Sequence, residues 1–139
     1  MEIVEGIHRI DGASANMAHS NVYLIINKNG LIVIDTGTSG NGKKIVDYIQ
    51  KIGHQPTEVV FIVLTHFHMD HVGSAKELKE LLPNAKIAAH EDEAEYISGK
   101  KPCLNQKTSC LGPFPLLSNL SLSQSTSFLR KTRKLQTSK

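Results

Sequence analysis

The sequence predicts an α+β fold: a mixed sheet with helices on one face, followed by an irregular tail. Three observations carry this. Short apolar, β-branched runs alternate with helical apolar stripes through about residue 99. Two of the runs are separated only by turn residues, as in a hairpin, whereas the later ones are separated by helices. Near residue 100 the composition changes abruptly.

Residues 2–11 predict an edge strand with Ile3, Ile7 and Ile10 as its apolar members. Asn21–Ile26 predicts a second strand, and Asn27-Lys28-Asn29-Gly30 has the composition of a hairpin turn. Leu31–Ile34 is nearly all apolar, as expected of a strand buried on both faces. It ends in the polar, glycine-rich turn Asp35–Gly40.

A helix from about Asn41 to Lys51 follows, with Ile45, Ile49 and Ile52 on one face and Gly53 as its stop. Residues 58–64 form a solid apolar run that predicts a central strand. A helix from about Gly73 to Leu82 buries Ala75, Leu78, Leu81 and Leu82, and Pro83 ends it. Ala85–Ala89 is a fifth short strand. Glu91-Asp92-Glu93 suits the positive end of a helix dipole, and Gly99 closes that helix.

Length and composition bound the function. A chain of 139 residues is one small domain at most. No apolar run is long enough to span a bilayer, and the acidic start Met1–Glu5 lacks the features of a signal peptide. Two cysteines, Cys103 and Cys110, make neither a zinc-finger pattern nor a disulfide framework, so a reducing cytoplasm is expected.

The net charge of +3 hides a division. Residues 1–99 carry all thirteen acidic side chains and eight basic ones, a net −5; residues 100–139 carry eight basic ones and no acid, a net +8. No Val or Ile follows Ile97, while Ser, Thr and Leu become frequent. Leu and Ser alternate within 118–127, enough for one amphipathic strand. The stretch Arg130–Lys134 is cationic but lacks interleaved aromatic residues, so a disordered tail is favoured over a nucleic-acid arm.

The chemistry concentrates in Thr65-His66-Phe67-His68-Met69-Asp70-His71. Three imidazoles and a carboxylate fall within six residues, at the carboxyl end of an apolar strand, where α/β proteins build sites. Such N and O donors suit Zn²⁺ and its neighbours. His66 and His68 are two apart, so in an extended segment they point the same way and can share one ion. Asp70 and His71 follow the turn of the chain and can face a second ion, while Phe67 and Met69 take the core side. A metal so held lowers the pKa of bound water and provides hydroxide near neutral pH.

Thr65–Gly73 resembles the T-H-x-H-x-D-H-x-G signature of metallo-β-lactamase-fold hydrolases. Asn21–Ile25 followed by Gly30–Gly37 resembles that family's opening strands, and the order of elements through residue 99 is similar to its first αβ half. The resemblance implies one half of an αββα sandwich. It implies that His66 and His68 bind the first zinc, that Asp70 and His71 bind the second, and that Asp70 also helps to position the reactive water. Iron or manganese are the alternative metals. Asp35 matches a family aspartate that supports the site without ligating. The implied partner is a small-molecule substrate, and the fold hosts thioester, lactam, phosphodiester and redox chemistry.

The departures are equally specific. The family's second half supplies a further histidine, a bridging aspartate and a last histidine, yet this chain has no histidine after His90 and no acid after Glu95. The expectation is therefore a first half-domain, residues 1–99, joined to a truncated or frameshift-derived tail, residues 100–139. The expected function is a zinc-dependent hydrolase, weakly active or inactive as it stands. The alternatives are a non-catalytic metal-binding half-domain and the product of a broken gene. The family's two sheets cover each other, so a lone half predicts an exposed apolar sheet face and homo-oligomers formed through it. His8, His19 and His54 are expected at the surface or in loops, His90 at a strand end, and Asp11 and Gly12 in a turn.

Overall fold

A computed structural model of the chain describes residues 1–10 and 21–101. The expectations for Asp11, Gly12, His19, the two cysteines and all of the tail beyond Lys101 lie outside the described residues.

The predicted edge strand is two strands. β1 (Glu2–Val4) and β2 (Ile7–Ile10) form a tight antiparallel hairpin, with Glu2 opposite His8. The signal for the break is Gly6, whose φ of +75° is one that residues with a Cβ avoid. β2 then pairs antiparallel with β3 (Val22–Asn27), and β3 with β4 (Gly30–Ile34) through the expected hairpin.

Beyond β4 the sheet becomes parallel. α1 (Gly42–Lys51) leads to a single 3₁₀ turn, Pro56–Glu58, and into β5 (Val59–Leu64), which pairs parallel with β4. A short helix α2 (Met69–Val72) and a longer one, α3 (Ala75–Leu81), precede β6 (Lys86–Ala89), which is parallel to β5. α4 (Glu91–Ile97) follows, with His90 at its N-cap accepting a hydrogen bond from the Asp92 backbone N–H at 3.3 Å. The six strands lie side by side in chain order in one mixed sheet. No helix among the described residues is long and apolar enough to cross a membrane.

The core lies on one face of the sheet. Val22, Leu24, Leu31, Val33, Ile62 and Leu64 from the strands pack with Ile45, Ile49, Leu78, Leu82 and Ile97 from the helical side. Three expectations need correction here. β4 is not buried on both faces: Leu31 and Val33 are buried, whereas Ile32 and Ile34 are only half-buried. Leu81 is 43% exposed, because the short α3 turns only Ala75 and Leu78 into the core, with Leu82 at its C-cap. His8 is buried on β2, with Nδ1 3.0 Å from the Tyr48 hydroxyl of α1.

The solid apolar run of β5 hides a bulge. Leu31 pairs with Val59 but Ile32 pairs with Phe61, so Val60 is an extra residue. The bulge shifts the alternation by one, which puts Val59, Ile62 and Leu64 on the core side and Phe61 and Val63 on the other. Through the register Ile7–Ile25–Ile32–Phe61 and Tyr23–Ile34–Val63, that second face presents a row of apolar side chains.

Candidate metal centre

The ligand run begins where β5 ends, and the sheet's parallel pairing carries the end of β4 to the same place. The Asp35 backbone N–H donates to the Val63 carbonyl at 2.8 Å, which extends the β4–β5 ladder to the first residue of the turn. Asp35 then takes φ +58°, a left-handed conformation that Asp tolerates better than most residues. That bend directs its carboxylate across the end of β5 instead of along it.

The carboxylate is buried and fully engaged. Its Oδ1 accepts the Thr65 backbone N–H at 2.8 Å and lies 3.0 Å from the Thr65 hydroxyl. Its Oδ2 lies 2.8 Å from the Thr65 hydroxyl and 2.8 Å from Nδ1 of His71. An ionised carboxylate only accepts, so His71 carries its proton on Nδ1 and presents the Nε2 lone pair outward.

His71 sits on α2, which starts inside the run at Met69, four residues before the helix start expected at Gly73. The expected single helix is interrupted at Gly73-Ser74 because α2 docks on the Asp35–Gly40 turn there. The His71 carbonyl accepts from the Thr36 backbone N–H at 2.7 Å and the Thr36 hydroxyl at 2.9 Å. The Ser74 hydroxyl donates to the Thr38 carbonyl at 2.6 Å and accepts the Asn41 N–H at 2.7 Å. Gly73 lies against the same turn: a Cβ added there would meet the Met69 oxygen at 2.5 Å and the Ser39 nitrogen at 2.6 Å. From the other side, Glu93 of α4 accepts the Phe67 backbone N–H at 2.9 Å, and the Phe67 ring stacks on Tyr96. The sequence places Thr65 in the signature and Glu93 at a helix start, but not their bonds to the site, which depend on partners 30 and 26 residues away.

These contacts gather the histidines. The ring centroids of His66 and His71 are 3.9 Å apart, and those of His66 and His68 are 4.8 Å apart. The Asp70 Oδ2 lies 3.4 Å from Nε2 of His71. With the proton on Nδ1, that contact sets a lone pair against a carboxylate oxygen, which favours a proton or cation between them. Two donors on a tetrahedral ion with bonds of about 2.1 Å stand about 3.4 Å apart, so the pair fits one metal. Among the described residues no group of three or more His, Cys, Asp and Glu is gathered closely enough to hold an ion, so the run offers pairs of donors.

Partial burial, and the neighbouring His71 and His68, hold His66 below the ordinary imidazole pKa of about 6.5, with Asp35 and Asp70 opposing. The neutral, ligating form is thereby favoured in the folded chain. Below that pH the unfolded state binds the proton more readily, so the metal-free chain is expected to lose stability as pH falls through about 6.5. Urea midpoints measured from pH 8 down to pH 5 check this. The fall should be shallower in His66→Gln, and identical slopes would refute it.

Comparison with known proteins follows the same lines. The sequence profile described as the metallo-beta-lactamase superfamily matches residues 16–116. A probable metallo-hydrolase of Streptococcus pyogenes is 30% identical over 83 residues, covering 60% of this chain and 34% of that protein. The hydroxyacylglutathione hydrolase of Buchnera aphidicola is 35% identical over 72 residues, covering 51% of this chain and 26% of that one. Among solved structures, the class B3 di-zinc metallo-beta-lactamase LRA-12 from an Alaskan soil metagenome superposes with a TM-score of 0.58 at 28% identity. The match covers 68% of this chain and 36% of that one. The chain spans about a third of the length of the curated relatives it matches.

Proposed function

The chain belongs to the metallo-beta-lactamase superfamily, and from that premise we propose that it is a metal-dependent hydrolase working through the His66–His71 run. The observation that carries this is the clamped His71. Asp35 holds its Nδ1 at 2.8 Å, and its Nε2 meets Asp70 at the spacing of two ligands on one ion.

In this proposal Asp70 and His71 hold one ion and His66 and His68 the other. Zinc is supported by the borderline character of the imidazole and carboxylate donors and by the di-zinc description of LRA-12, with iron and manganese as alternatives. A bound ion of this kind supplies Lewis acidity that brings the pKa of water near 7. The chain's own part is to orient and to exclude. Asp35 holds the His71 ring by its Nδ1 and so fixes where Nε2 points, and the Phe67–Tyr96 stack closes the core side of the run. Asp70, about one third exposed, would hold the ion through the oxygen that faces His71, and its other oxygen can help to position a nucleophile. The substrate is a small molecule. A thioester is the first candidate, since the Buchnera relative is named a hydroxyacylglutathione hydrolase.

The test is metal content together with turnover of thioester, β-lactam and phosphodiester substrates, comparing wild type with His66→Ala. Wild type should retain zinc, and His66→Ala should lose the greater part of one equivalent, together with any hydrolysis. Equal zinc in both proteins would remove the site.

The second sheet face supports a further element of the proposal. Ile25, Ile32, Ile34 and Val63 lie on it, with Ile7 36% and Phe61 37% exposed. A contiguous apolar patch of this kind is rare on a soluble monomer. This face is proposed to hold copies of the chain together.

A further inference from the structure

Thr65 carries a hydroxyl with one proton and three polar neighbours. Its Oγ1 lies 2.8 Å from Asp35 Oδ2, 3.0 Å from Asp35 Oδ1 and 3.0 Å from Nδ1 of His66. The proton can serve only one side. If it went to His66, the hydroxyl oxygen would face a buried carboxylate at 2.8 Å with lone pair against lone pair. Thr65 itself is exposed and water can serve its His66 side, whereas the Asp35 carboxylate is buried, so an acceptor pair left at Asp35 costs more than the bond to His66 returns. The proton therefore goes to Asp35, and Oγ1 is left as an acceptor. His66 must then donate from Nδ1, which leaves Nε2 as its free lone pair.

Asp35 already fixes His71 in the same tautomer by direct contact. We propose that Thr65 is a positioning residue: its hydroxyl relays the Asp35 carboxylate to His66, so that one buried carboxylate sets the tautomer of two histidines. The chain of bonds runs from His66 Nδ1–H to Thr65 Oγ1, from Thr65 Oγ1–H to Asp35, and from His71 Nδ1–H to Asp35. It ties the end of β4, the end of β5 and α2 into one unit. The proposal that these histidines ligate through Nε2 rests on the function proposed above; the tautomer assignment does not.

Two-bond ¹H–¹⁵N correlation spectra of the metal-free protein at pH 8 read the tautomers directly. In wild type both His66 and His71 should be Nδ1–H. In Thr65→Val, His66 should move to a mixture or to Nε2–H while His71 stays. Thr65→Ser should restore the wild-type pattern. Asp35→Asn, which keeps the left-handed backbone, should disturb both rings. His66 found as Nε2–H in wild type overturns the relay, and this arm needs no variant to fold. His66 unchanged in Thr65→Val overturns it as well. Zinc titration separates the two claims. Loss of an outer-shell partner lowers metal affinity by about 10–100-fold, which is the loss expected in Thr65→Val and not in Thr65→Ser. If His66→Ala loses zinc but Thr65→Val binds it as wild type does, the relay fails and the metal site stands. If wild type binds no zinc yet shows both tautomers, the metal site fails and the relay stands.

Discussion

Gly73→Ala should melt roughly 12–24 °C below wild type and lose most of the metal held at the proposed site. The added methyl would sit 2.5 Å from the Met69 oxygen, 2.6 Å from the Ser39 nitrogen and 2.8 Å from the Thr38 carbonyl carbon. All three are backbone atoms in two different segments, so no rotamer change relieves the clash. α2 would have to move off the Asp35–Gly40 turn, giving up the Thr36–His71 and Ser74–Thr38 hydrogen bonds. Overpacking at such a point costs about 3 kcal/mol, the upper end of the usual range. For a domain of this size each kcal/mol lowers the melting temperature by roughly 4–8 °C. The same displacement carries His71 away from Asp35, so metal content should fall with stability. Gly53→Ala is the control. Gly53 has φ +88° but nothing within 4 Å of the added methyl, so only the left-handed strain of about 1–2 kcal/mol applies, far from the site. Thermal melts and metal analysis of the two variants decide it. A Gly73→Ala protein that melts within a few degrees of wild type would refute the close packing.

If the second sheet face holds copies of the chain together as proposed, wild type should self-associate and Phe61→Lys should be much closer to a monomer. Phe61 ends the apolar row of the second sheet face, between Ile32 on β4 and Lys86 on β6. Truncating an aromatic anchor of an interface costs about 2 kcal/mol or more, a factor of roughly 30 in dissociation constant. A lysine there must also be desolvated. The core should survive, because Phe61 points away from it and the lysine can extend its ammonium to water. Light scattering over a hundredfold range of concentration measures the effect. A monodisperse wild-type monomer, or a Phe61→Lys protein that associates as strongly as wild type, would contradict the proposed contact.

Much of the fold is legible in the sequence because its signals are local. The turn Asn27–Gly30, the Ile45–Ile49 stripe and the acidic start of α4 each lie within a few residues of what they specify. The bulge at Val60 is not legible, since an unbroken apolar run carries no phase. The hairpin at Gly6 is legible only in hindsight: one glycine in a strand-like stretch is a weak signal on its own. In the candidate site, the T-H-x-H-x-D-H-x-G spacing displays its donor types plainly. The glycine of that signature is explained by the turn it touches, 34 residues upstream at Ser39. Thr65 opens that signature, but its bond to Asp35, like the bond of Glu93 to Phe67, joins distant residues and cannot be read from the neighbouring sequence.

The Asp35 junction also governs the order in which the site can come into being. Its bonds to Thr65 and His71 close loops of 30 and 36 residues, and Ser74 reaches back 38 residues to Thr36. Contacts of such long range form slowly, after the parallel strands have found one another. His66 and His68, by contrast, are near neighbours even in the unfolded chain. An ion that arrives early meets only that local pair, with tautomers unset and α2 unformed. Binding to the unfolded chain also subtracts from whatever stability the metal gives the folded one. At the proposed metal site the junction would thus make metal loading a late event, one that follows assembly of the sheet instead of directing it.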